Sequence, residues 1–329
     1  MTMLARVCLV AAALAAGCDP TPHWSLPLAA LDRVPLSVAV RSAHDVWIAG
    51  GALGSGGNAL VLHYDGSAWT RRDPGTDATL WWVDAPAGTQ WLVGERGTVL
   101  SGDALAVENV PTTATLYGVW QSEAGTVWIV GGEPDLSGVI LRRVAGGAWE
   151  DVTPPGSAGA FFKVWGASDG DVWICGQLGA LLHWDGTQLS PAAVGLAGNA
   201  PLFTVYGHGA NDVYVVGGLG NALVLHYDGS AWIQLADPIF ATAPGLNGVS
   251  VDSDGTAILV GGSGTKLRGR PGAFVDESAQ ATRADLHAAS IVDGEIFTVG
   301  GNYLAPAPAP RQGAVAHFGG DVSSTVETP

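Results

Sequence analysis

Histidine and aspartate recur together at three places in this 329-residue sequence, and they are the first side chains to consider for chemistry. In each pair one aromatic residue separates the two, and a glycine follows the aspartate: His63 and Asp65, His183 and Asp185, and His226 and Asp228. Imidazole and carboxylate groups are ligands of zinc, which holds its ligands at about 2 Å. The pairs and His317 occupy equivalent places in a repeat, so they should be spread around the molecule and not meet at one ion. We predict structural histidines that bond to the Asp-Gly turn or to a neighbouring repeat, because buried polar groups need partners.

Two acidic segments raise the question of whether the protein binds calcium. Asp169-Gly170-Asp171 and Asp252-Ser253-Asp254-Gly255 resemble fragments of a calcium-binding loop, but they lack the third ligand pair and the final glutamate of an EF-hand. Both fit tight turns between strands. We therefore predict no metal site and no cofactor, with surface calcium as an open alternative because the protein is acidic.

Motifs of several enzyme classes are missing from the sequence. There is no Gly-x-Ser-x-Gly or His-Glu-x-x-His motif, and no glycine-rich segment ends in the Gly-Lys-Ser/Thr of a phosphate loop. The arginines are scattered, with Arg71-Arg72 and Arg142-Arg143 as the only adjacent pairs. We predict no catalytic residues and favour a noncatalytic protein, while the question of enzyme activity stays open.

The elements that must position these side chains come from a repeated segment. It begins with an acidic residue or threonine and ends in glycine after an apolar run, as in Asp45-Val46-Trp47-Ile48-Ala49-Gly50. Its third residue falls at positions 47, 91, 128, 173, 214, 258 and 297. A period near 40 residues, with about four strands per unit, is typical of a β-propeller. We predict an all-β, seven-bladed β-propeller with four antiparallel strands per blade, its repeats at about 36–71, 79–110, 115–153, 161–191, 202–236, 246–277 and 286–327.

A propeller of this kind needs a strand that closes the ring. Trp24 lies twelve residues before Leu36, much as Trp69 lies eleven residues before Leu80. We predict that the N-terminal strand beginning at Trp24 pairs with the last repeat. The rival interpretation is that residues 322–326 supply this strand.

The composition agrees with such a fold. The chain has 48 glycines and 13 tryptophans, and only 13% of its residues are charged. Glycine weakens helices and aromatic residues favour strands, so the composition favours an all-β protein. The formal net charge of -16 argues against nucleic acid as a partner, since nucleic-acid binding needs basic patches.

The N-terminal segment predicts where the protein is located in the cell. Residues 1–17 carry Arg6 and then an apolar run, which is typical of a signal peptide. The segment Leu14-Ala15-Ala16-Gly17-Cys18 resembles the bacterial lipobox. The resemblance implies lipid on Cys18 and anchoring in the cell envelope, at the outer membrane or the periplasmic face of the inner membrane. With a closing strand that begins at Trp24, we predict a tether at residues 18–23 and a propeller over 24–329. The alternative is an ordinary secretory signal. Cys175 lies in an apolar stretch, and we interpret it as a small core residue.

The repeats resemble those of predicted lipoproteins of high-GC Gram-negative bacteria, which are built of VWxVGxxGxxLHxDGxxW units. They are also distantly similar to propellers with Asp-box repeats, as in sialidases and photosystem II assembly factors. The segments at residues 63–69 and 226–232 keep the aspartate, glycine and tryptophan of the Asp-box but lack its serine and its spacer. The resemblance covers nearly all of the chain after the signal and implies a fold more than an activity.

Long loops between the second and third strands place the predicted binding surface on one face. They occur in repeats one, three and seven, and repeats one and seven become neighbours in a closed ring. We predict that ligand contacts come from Arg71, Arg72, Glu133, Asp135 and Tyr303. The sequence thus favours an envelope-anchored, monomeric propeller that binds a protein or a glycan. The alternative is a glycan-active hydrolase or lyase that uses the central channel.

Overall fold

Seven antiparallel sheets arranged around a central channel make up the part of the chain described by the computed structural model, which is residues 22–53, 56–86, 88–196, 198–306 and 309–328. Each sheet is one blade of a β-propeller and holds four antiparallel strands. The innermost strands of successive blades contact one another around the whole ring, including the contact between blades seven and one. The predicted seven-bladed propeller is therefore confirmed.

The strands take equivalent places in each blade. The innermost strands are β2 (Val34–Ser42), β6 (Leu80–Asp84), β10 (Leu116–Gln121), β14 (Phe161–Ser168), β18 (Leu202–Gly209), β22 (Leu246–Val251) and β26 (Leu286–Val292). The second strands, which contain the repeated segment, are β3 (Asp45–Gly51), β7 (Trp91–Gly94), β11 (Val127–Glu133), β15 (Asp171–Gly176), β19 (Asp212–Gly217), β23 (Ala257–Gly261) and β27 (Glu295–Gly301).

The two outer positions are shorter in most blades. The third strands are β4 (Leu60–Tyr64), β8 (Val99–Ser101), β12 (Ser137–Arg143), β16 (Leu181–Trp184), β20 (Leu223–Tyr227), β24 (Lys266–Gly269) and β28 (Gly313–Gly319). The outermost strands are β5 (Trp69–Arg71), β9 (Ala106–Val107), β13 (Glu150–Asp151), β17 (Leu189–Pro191), β21 (Trp232–Gln234) and β25 (Val275–Asp276), with β1 (His23–Leu31) in blade seven. Short 3-10 turns occur within the described residues at Glu95–Gly97, Gln177–Gly179, Pro238–Ala241 and Gly262–Gly264.

Ring closure uses the N-terminal strand, as Trp24 predicted. Strand β1 pairs antiparallel with β28, so residues from the two ends of the chain complete blade seven. Trp24 is buried, its ring lies 5.6 Å from that of Phe318, and its Nε1 donates to the Glu277 carboxylate of blade six at 2.9 Å. The closing strand is therefore paired with blade seven and is hydrogen-bonded to blade six through Trp24.

The rival closing segment has a different place. Instead of entering blade seven, β29 (Val326–Glu327) pairs in parallel with β5 and adds a fifth strand to blade one. The Trp69 backbone N–H donates to Thr325 O at 3.0 Å, and its indole Nε1 donates to Ser323 O at 2.9 Å. The C-terminal end therefore covers the outer edge of the blade next to the closure, and the predicted last repeat, 286–327, does not form one blade.

The hydrophobic core lies between adjacent blades. One cluster, for example, joins Ile48 and Leu62 of blade one to Phe297 and Val315 of blade seven. Most second strands are buried at every residue after the first, because sheets in this arrangement are covered on both faces. This explains why the repeated segment is apolar at consecutive residues instead of alternate ones.

Candidate binding site at the channel mouth

Each innermost strand carries a β-bulge near its start, on the face of the ring where the loops between second and third strands emerge. The displaced residues are Leu36, Trp81, Tyr117, Phe162, Phe203, Asn247 and His287. A bulge leaves one residue unpaired and redirects its side chain. All of these residues except Leu36, which is buried, line one cavity of about 320 Å³ at the end of the channel. We call this cavity the mouth.

Aromatic rings surround the mouth and form what we call the collar: Trp81, Tyr117, Phe162, Phe203, His287 and Tyr303. Ring centroids are 5.5 Å apart for Trp81 and Tyr117, 5.5 Å for Tyr117 and Phe162, and 5.7 Å for Phe162 and Phe203. His287 lies 5.9 Å from Trp81 and 5.3 Å from Tyr303. These separations are typical of favourable aromatic pairs, so the rings support one another and leave their free surfaces toward the mouth.

Tyr303 reaches the collar from the loop between β27 and β28. Its hydroxyl accepts a hydrogen bond of 2.7 Å from the Asn247 side-chain amide, which also donates to Leu286 O. Burial raises the pKa of Tyr303, so its hydroxyl stays protonated at neutral pH. Tyr303, predicted as a ligand contact, is thus placed at the mouth.

Arg311 holds this loop against blade one. Its guanidinium is buried and donates to Asn302 O and Ala305 O within the loop, at 3.0 and 2.7 Å. It also donates to Leu53 O at 2.8 Å and to Ala52 O at 3.3 Å, in the loop between β3 and β4. The long loops of blades one and seven are therefore neighbours, as the closed ring requires.

Lys163 is the one lysine or arginine among the described residues that line the mouth. Its side chain is buried, its Nζ donates to Tyr117 O at 2.9 Å, and the ammonium lies 4.3 Å from the Trp82 ring centroid. Burial lowers the pKa of Lys163 to about 7. The amine is therefore divided between its charged and neutral forms near neutral pH.

His287 is neutral at physiological pH. Burial lowers its pKa to about 3, and the nearby Lys163 ammonium acts in the same direction. Its Nδ1 forms a hydrogen bond with Leu36 O. The nine described residues around the mouth include no aspartate or glutamate. The polarity of the mouth therefore rests on Lys163, Asn247 and the tyrosine hydroxyls.

A second cavity of about 240 Å³ continues along the channel, and Lys163 borders both. Its walls are mostly small or apolar residues of the innermost strands, with Asp84 as the carboxylate among the described residues that line it. Burial raises the pKa of Asp84 to about 7, although its carboxylate accepts the Gln121 N–H at 2.8 Å. Burial also raises the pKa of Tyr206 to about 12, and Asp84 adds to that effect.

The other four predicted contact residues are not brought to the mouth. Arg71 pairs with Asp32 at 2.5 Å, and Arg72 donates to Asp103 O at 2.7 Å, both near the outer edge of blade one. There they line a separate cavity of about 360 Å³. The predicted set of five therefore does not line one cavity.

The two acidic members of that set lie on the hairpin of blade three. The Glu133 carboxylate accepts the Thr115 N–H at 3.2 Å, and its charge contributes to the raised pKa of Tyr117. Asp135 exchanges hydrogen bonds with the Gln177 side-chain amide of blade four, at 3.0 and 3.2 Å. Both residues have partners between neighbouring elements, and their assignment as ligand contacts stays a prediction.

The repeated histidines bond within their own blade, and both expected partners, the Asp-Gly turn and a neighbouring repeat, were wrong. Each donates to the acidic residue that begins the preceding strand: His63 to Asp45 at 2.9 Å, His183 to Asp171 at 2.7 Å, His226 to Asp212 at 2.7 Å and His317 to Glu295 at 2.6 Å. Each imidazole also lies against the aromatic residue two positions after that acid, with centroids 4.0 to 4.5 Å apart. The acid of the repeated segment is thus the partner of the histidine.

The Asp-Gly segments form self-contained turns. The Asp65 carboxylate accepts the Ser67 N–H and hydroxyl at 2.8 and 2.7 Å and the Ala68 N–H at 3.0 Å. Asp185 and Asp228 repeat this pattern. These hydrogen bonds lower the pKa of all three aspartates to about 2, and the bond from the serine or threonine hydroxyl has the largest effect.

The described residues include no group of three or more His, Cys, Asp or Glu side chains that could hold a metal ion.

The Asp252 carboxylate accepts the N–H groups of Ser253, Asp293 and Gly294, at 2.7 to 3.1 Å, which joins blades six and seven. Burial raises the pKa of Cys175 to about 12. No helix in the described part of the chain is long and apolar enough to span a membrane, and the predicted signal peptide and Cys18 lie outside that part.

The collar was missed by sequence reasoning, although a signal for it exists. The first two residues of most repeats are both large, as in Leu116-Tyr117 and Leu202-Phe203, where an alternating strand would have one inward side chain. The final glycine of the repeated segment marks the same place. A Cβ at any of these glycines would overlap a backbone oxygen beside the bulged strand, so glycine permits the close approach.

Comparisons with known proteins show the fold alone. No protein-family model matches the sequence, and no curated protein matches it. Virginiamycin B lyase from Staphylococcus aureus, solved as a catalytically inactive variant with quinupristin, superposes with a TM-score of 0.69 at 13% identity, over 89% of this chain and 99% of that one. YCF48 from Cyanidioschyzon merolae gives 0.63 at 14% identity, over 90% and 98%. The WD40 propeller domain of Doa1 gives 0.66 at 9% identity, over 92% and 99%.

Proposed function

We propose that this chain is a noncatalytic binding propeller of the bacterial cell envelope, anchored by lipid on Cys18, that recognises a protein or a glycan on its loop-rich face. The observation that supports the proposal is the collar, which presents partly exposed aromatic rings from several blades on that face. Aromatic side chains in a desolvated pocket carry much of the free energy at binding surfaces. Among proteins of the same fold, YCF48 has been solved bound to a peptide.

Capture of an envelope component by the full-length, lipidated chain tests this function. A Trp81→Ala/Phe162→Ala variant removes two rings of the collar, and Leu219→Ala changes an exposed side chain on a loop of the same face. We expect the collar variant to recover at least about tenfold less of the captured component, since loss of a binding hot spot costs about 2 kcal/mol or more. The Leu219→Ala control should recover as much as the wild type. Equal recovery by all three proteins, with folding verified by circular dichroism, would contradict the proposal.

A second candidate, a lyase that uses the channel, is favoured by one observation. Lys163 borders the mouth and has a pKa of about 7, so its neutral amine could accept a proton from a bound substrate. A glycoside hydrolase is less favoured, because most use two carboxylates and the described residues at the mouth supply none. Mass spectrometry of the captured component after incubation separates the candidates: an unchanged mass supports binding alone, and cleavage that Lys163→Met abolishes supports the lyase.

A further inference from the structure

The two lysines of the chain are both buried, yet they differ in how their ammonium groups are satisfied. Lys266 Nζ donates to Gly264 O at 2.9 Å and to Thr282 O at 3.3 Å, and its ammonium lies 5.4 Å from the Trp24 ring centroid. Lys163 Nζ donates to Tyr117 O alone among the described residues. An ammonium group has three N–H donors, so Lys163 has capacity left for an acceptor in the mouth.

Lys163 also has no anionic partner. None of the ion pairs among the described residues includes it, and the described residues around the mouth contain no carboxylate. A buried charge without a partner is costly, and an opposite charge with hydrogen-bond acceptors offsets that cost. The group that suits Lys163 best is therefore an anion supplied by a ligand.

The rest of the mouth selects the body of that ligand. The collar offers aromatic faces, and Leu304 adds an exposed apolar side chain at the rim. The Asn247 amide and the Tyr303 hydroxyl bond to each other, which leaves few polar groups for the hydroxyls of a sugar. A volume of about 320 Å³ lies at the small end of the range for ligand pockets.

We propose that the mouth binds an apolar carboxylate, with its hydrophobic or aromatic body against the collar and its carboxylate accepting hydrogen bonds from Lys163 Nζ. This rests on the proposed function, because it names the ligand class of the same site. Two sources share this chemistry: a small free acid, and the C-terminal residue of a peptide whose last side chain is apolar. The carboxylate and the apolar group are close together in both, as one cavity lined by Lys163 and the collar requires.

Titration calorimetry at pH 6.5 with matched probes tests the inference on the wild-type chain. The probes are an acetylated hexapeptide that ends in phenylalanine with a free carboxylate, the same peptide as its C-terminal amide, and N-acetylphenylalanine. We expect the free acid of the peptide to bind at least about tenfold more tightly than the amide, as a charge-assisted hydrogen bond implies. Tighter binding of the peptide than of N-acetylphenylalanine would identify a chain terminus, and equal binding would identify a small acid. Equal affinities of acid and amide overturn the inference.

Three variants locate the interaction. Lys163→Met should bind acid and amide alike, Phe162→Ala should weaken both, and Leu219→Ala should change neither. If Lys163→Met does not fold, the wild-type comparison of acid with amide decides alone. An acid preference that survives in folded Lys163→Met, or binding of an oligosaccharide that does not depend on Lys163, also overturns the inference.

The two proposals fail in different ways. If the collar variant loses the envelope component while the wild type does not distinguish acid from amide, the ligand class is wrong and the binding function stands. If wild type and collar variant capture equally while the acid preference is present, the envelope function is wrong and the carboxylate site stands.

Discussion

At the scale of residues, burial controls the two amines of this protein. Desolvation lowers the pKa of Lys163 to about 7 and that of Lys266 to about 8, from an ordinary value of 10.5. At any pH between about 8 and 10.5, both amines lose protons when the chain folds. The unfolded chain then binds more protons than the native one, so native stability increases with pH in this window.

Lys163→Met should remove part of this pH dependence. In the wild type we expect the free energy of unfolding to rise between pH 7 and pH 9.5, by at most about 1.4 kcal/mol per pH unit for each amine. The variant should keep only the part due to Lys266. Urea denaturation at pH 7, 8 and 9.5 measures both slopes, and a variant whose slope equals that of the wild type would show that Lys163 is not desolvated in solution.

At the scale of elements, both chain ends hold the ring closed. Strand β1 completes blade seven, and Trp24 is 8% exposed with its indole bonded to Glu277 of blade six. Strand β29 covers the outer edge of blade one. Because the closing strand is paired with residues nearly three hundred positions away, the last blade forms only when both ends are present.

Trp24→Ala should therefore destabilise the whole propeller. Truncation of a buried tryptophan costs about 3–5 kcal/mol, and here a hydrogen bond to a mostly buried carboxylate is lost as well. Val107→Ala, on the outermost strand of blade two and 74% exposed, is the control and should stay within about 0.5 kcal/mol of the wild type. Chemical denaturation followed by tryptophan fluorescence gives both values, and a loss below about 1 kcal/mol for Trp24→Ala would show that closure does not depend on this side chain.

The sequence predicts the blades well because each repeated segment is buried on both faces and needs a continuous apolar run. The spacing of Trp24 predicts the closing strand, because Trp24 lies at the same place relative to the next repeat as Trp69 does in its blade. The collar could not be predicted this way. Tyr117 and Phe162 reach the mouth through bulges, which set a side chain's direction against the alternation on which strand prediction relies.

The partners of the repeated side chains were also beyond the sequence. His63 has Asp45 and Asp65 at sequence distances that both allow a contact, and only the register of β3 against β4 decides between them. The parallel pairing of β29 with β5 has no local pattern, because two residues carry no period. Predictions of ligand contacts from loop length found Tyr303 at the mouth but grouped it with Arg71 and Arg72, which lie near the outer edge of a blade.

At the scale of the whole molecule, we expect a membrane-anchored and strongly acidic particle. The formal net charge of the whole sequence is -16, so we expect the overall field to repel anions and a carboxylate ligand to be attracted locally by Lys163. The aromatic rings supply the remaining affinity at short range. Specificity therefore depends on the mouth and not on the overall field of the protein.

Cys18→Ser tests the anchoring part of the proposed function. Lipid on this cysteine is expected to hold the full-length protein in the detergent phase of a Triton X-114 partition, and the variant should move to the aqueous phase. The folded propeller should be unchanged, because its first strand begins at His23. Equal partition of both proteins into the aqueous phase would contradict lipidation.

The direction of β1 has a consequence for how the molecule would stand on a membrane. Leu31 pairs with Gly313 on the loop-rich face, whereas His23 pairs with Gly319 at the opposite end of the blade. The strand has nine residues and so spans about 30 Å. A lipid at Cys18 would attach on the side of the ring where β1 begins, opposite the loop-rich face. The collar would then point away from the bilayer, and the thickness of the ring would separate the lipid from the ligand. Such a protein would present its mouth to molecules arriving from the aqueous side and not to those lying in the membrane.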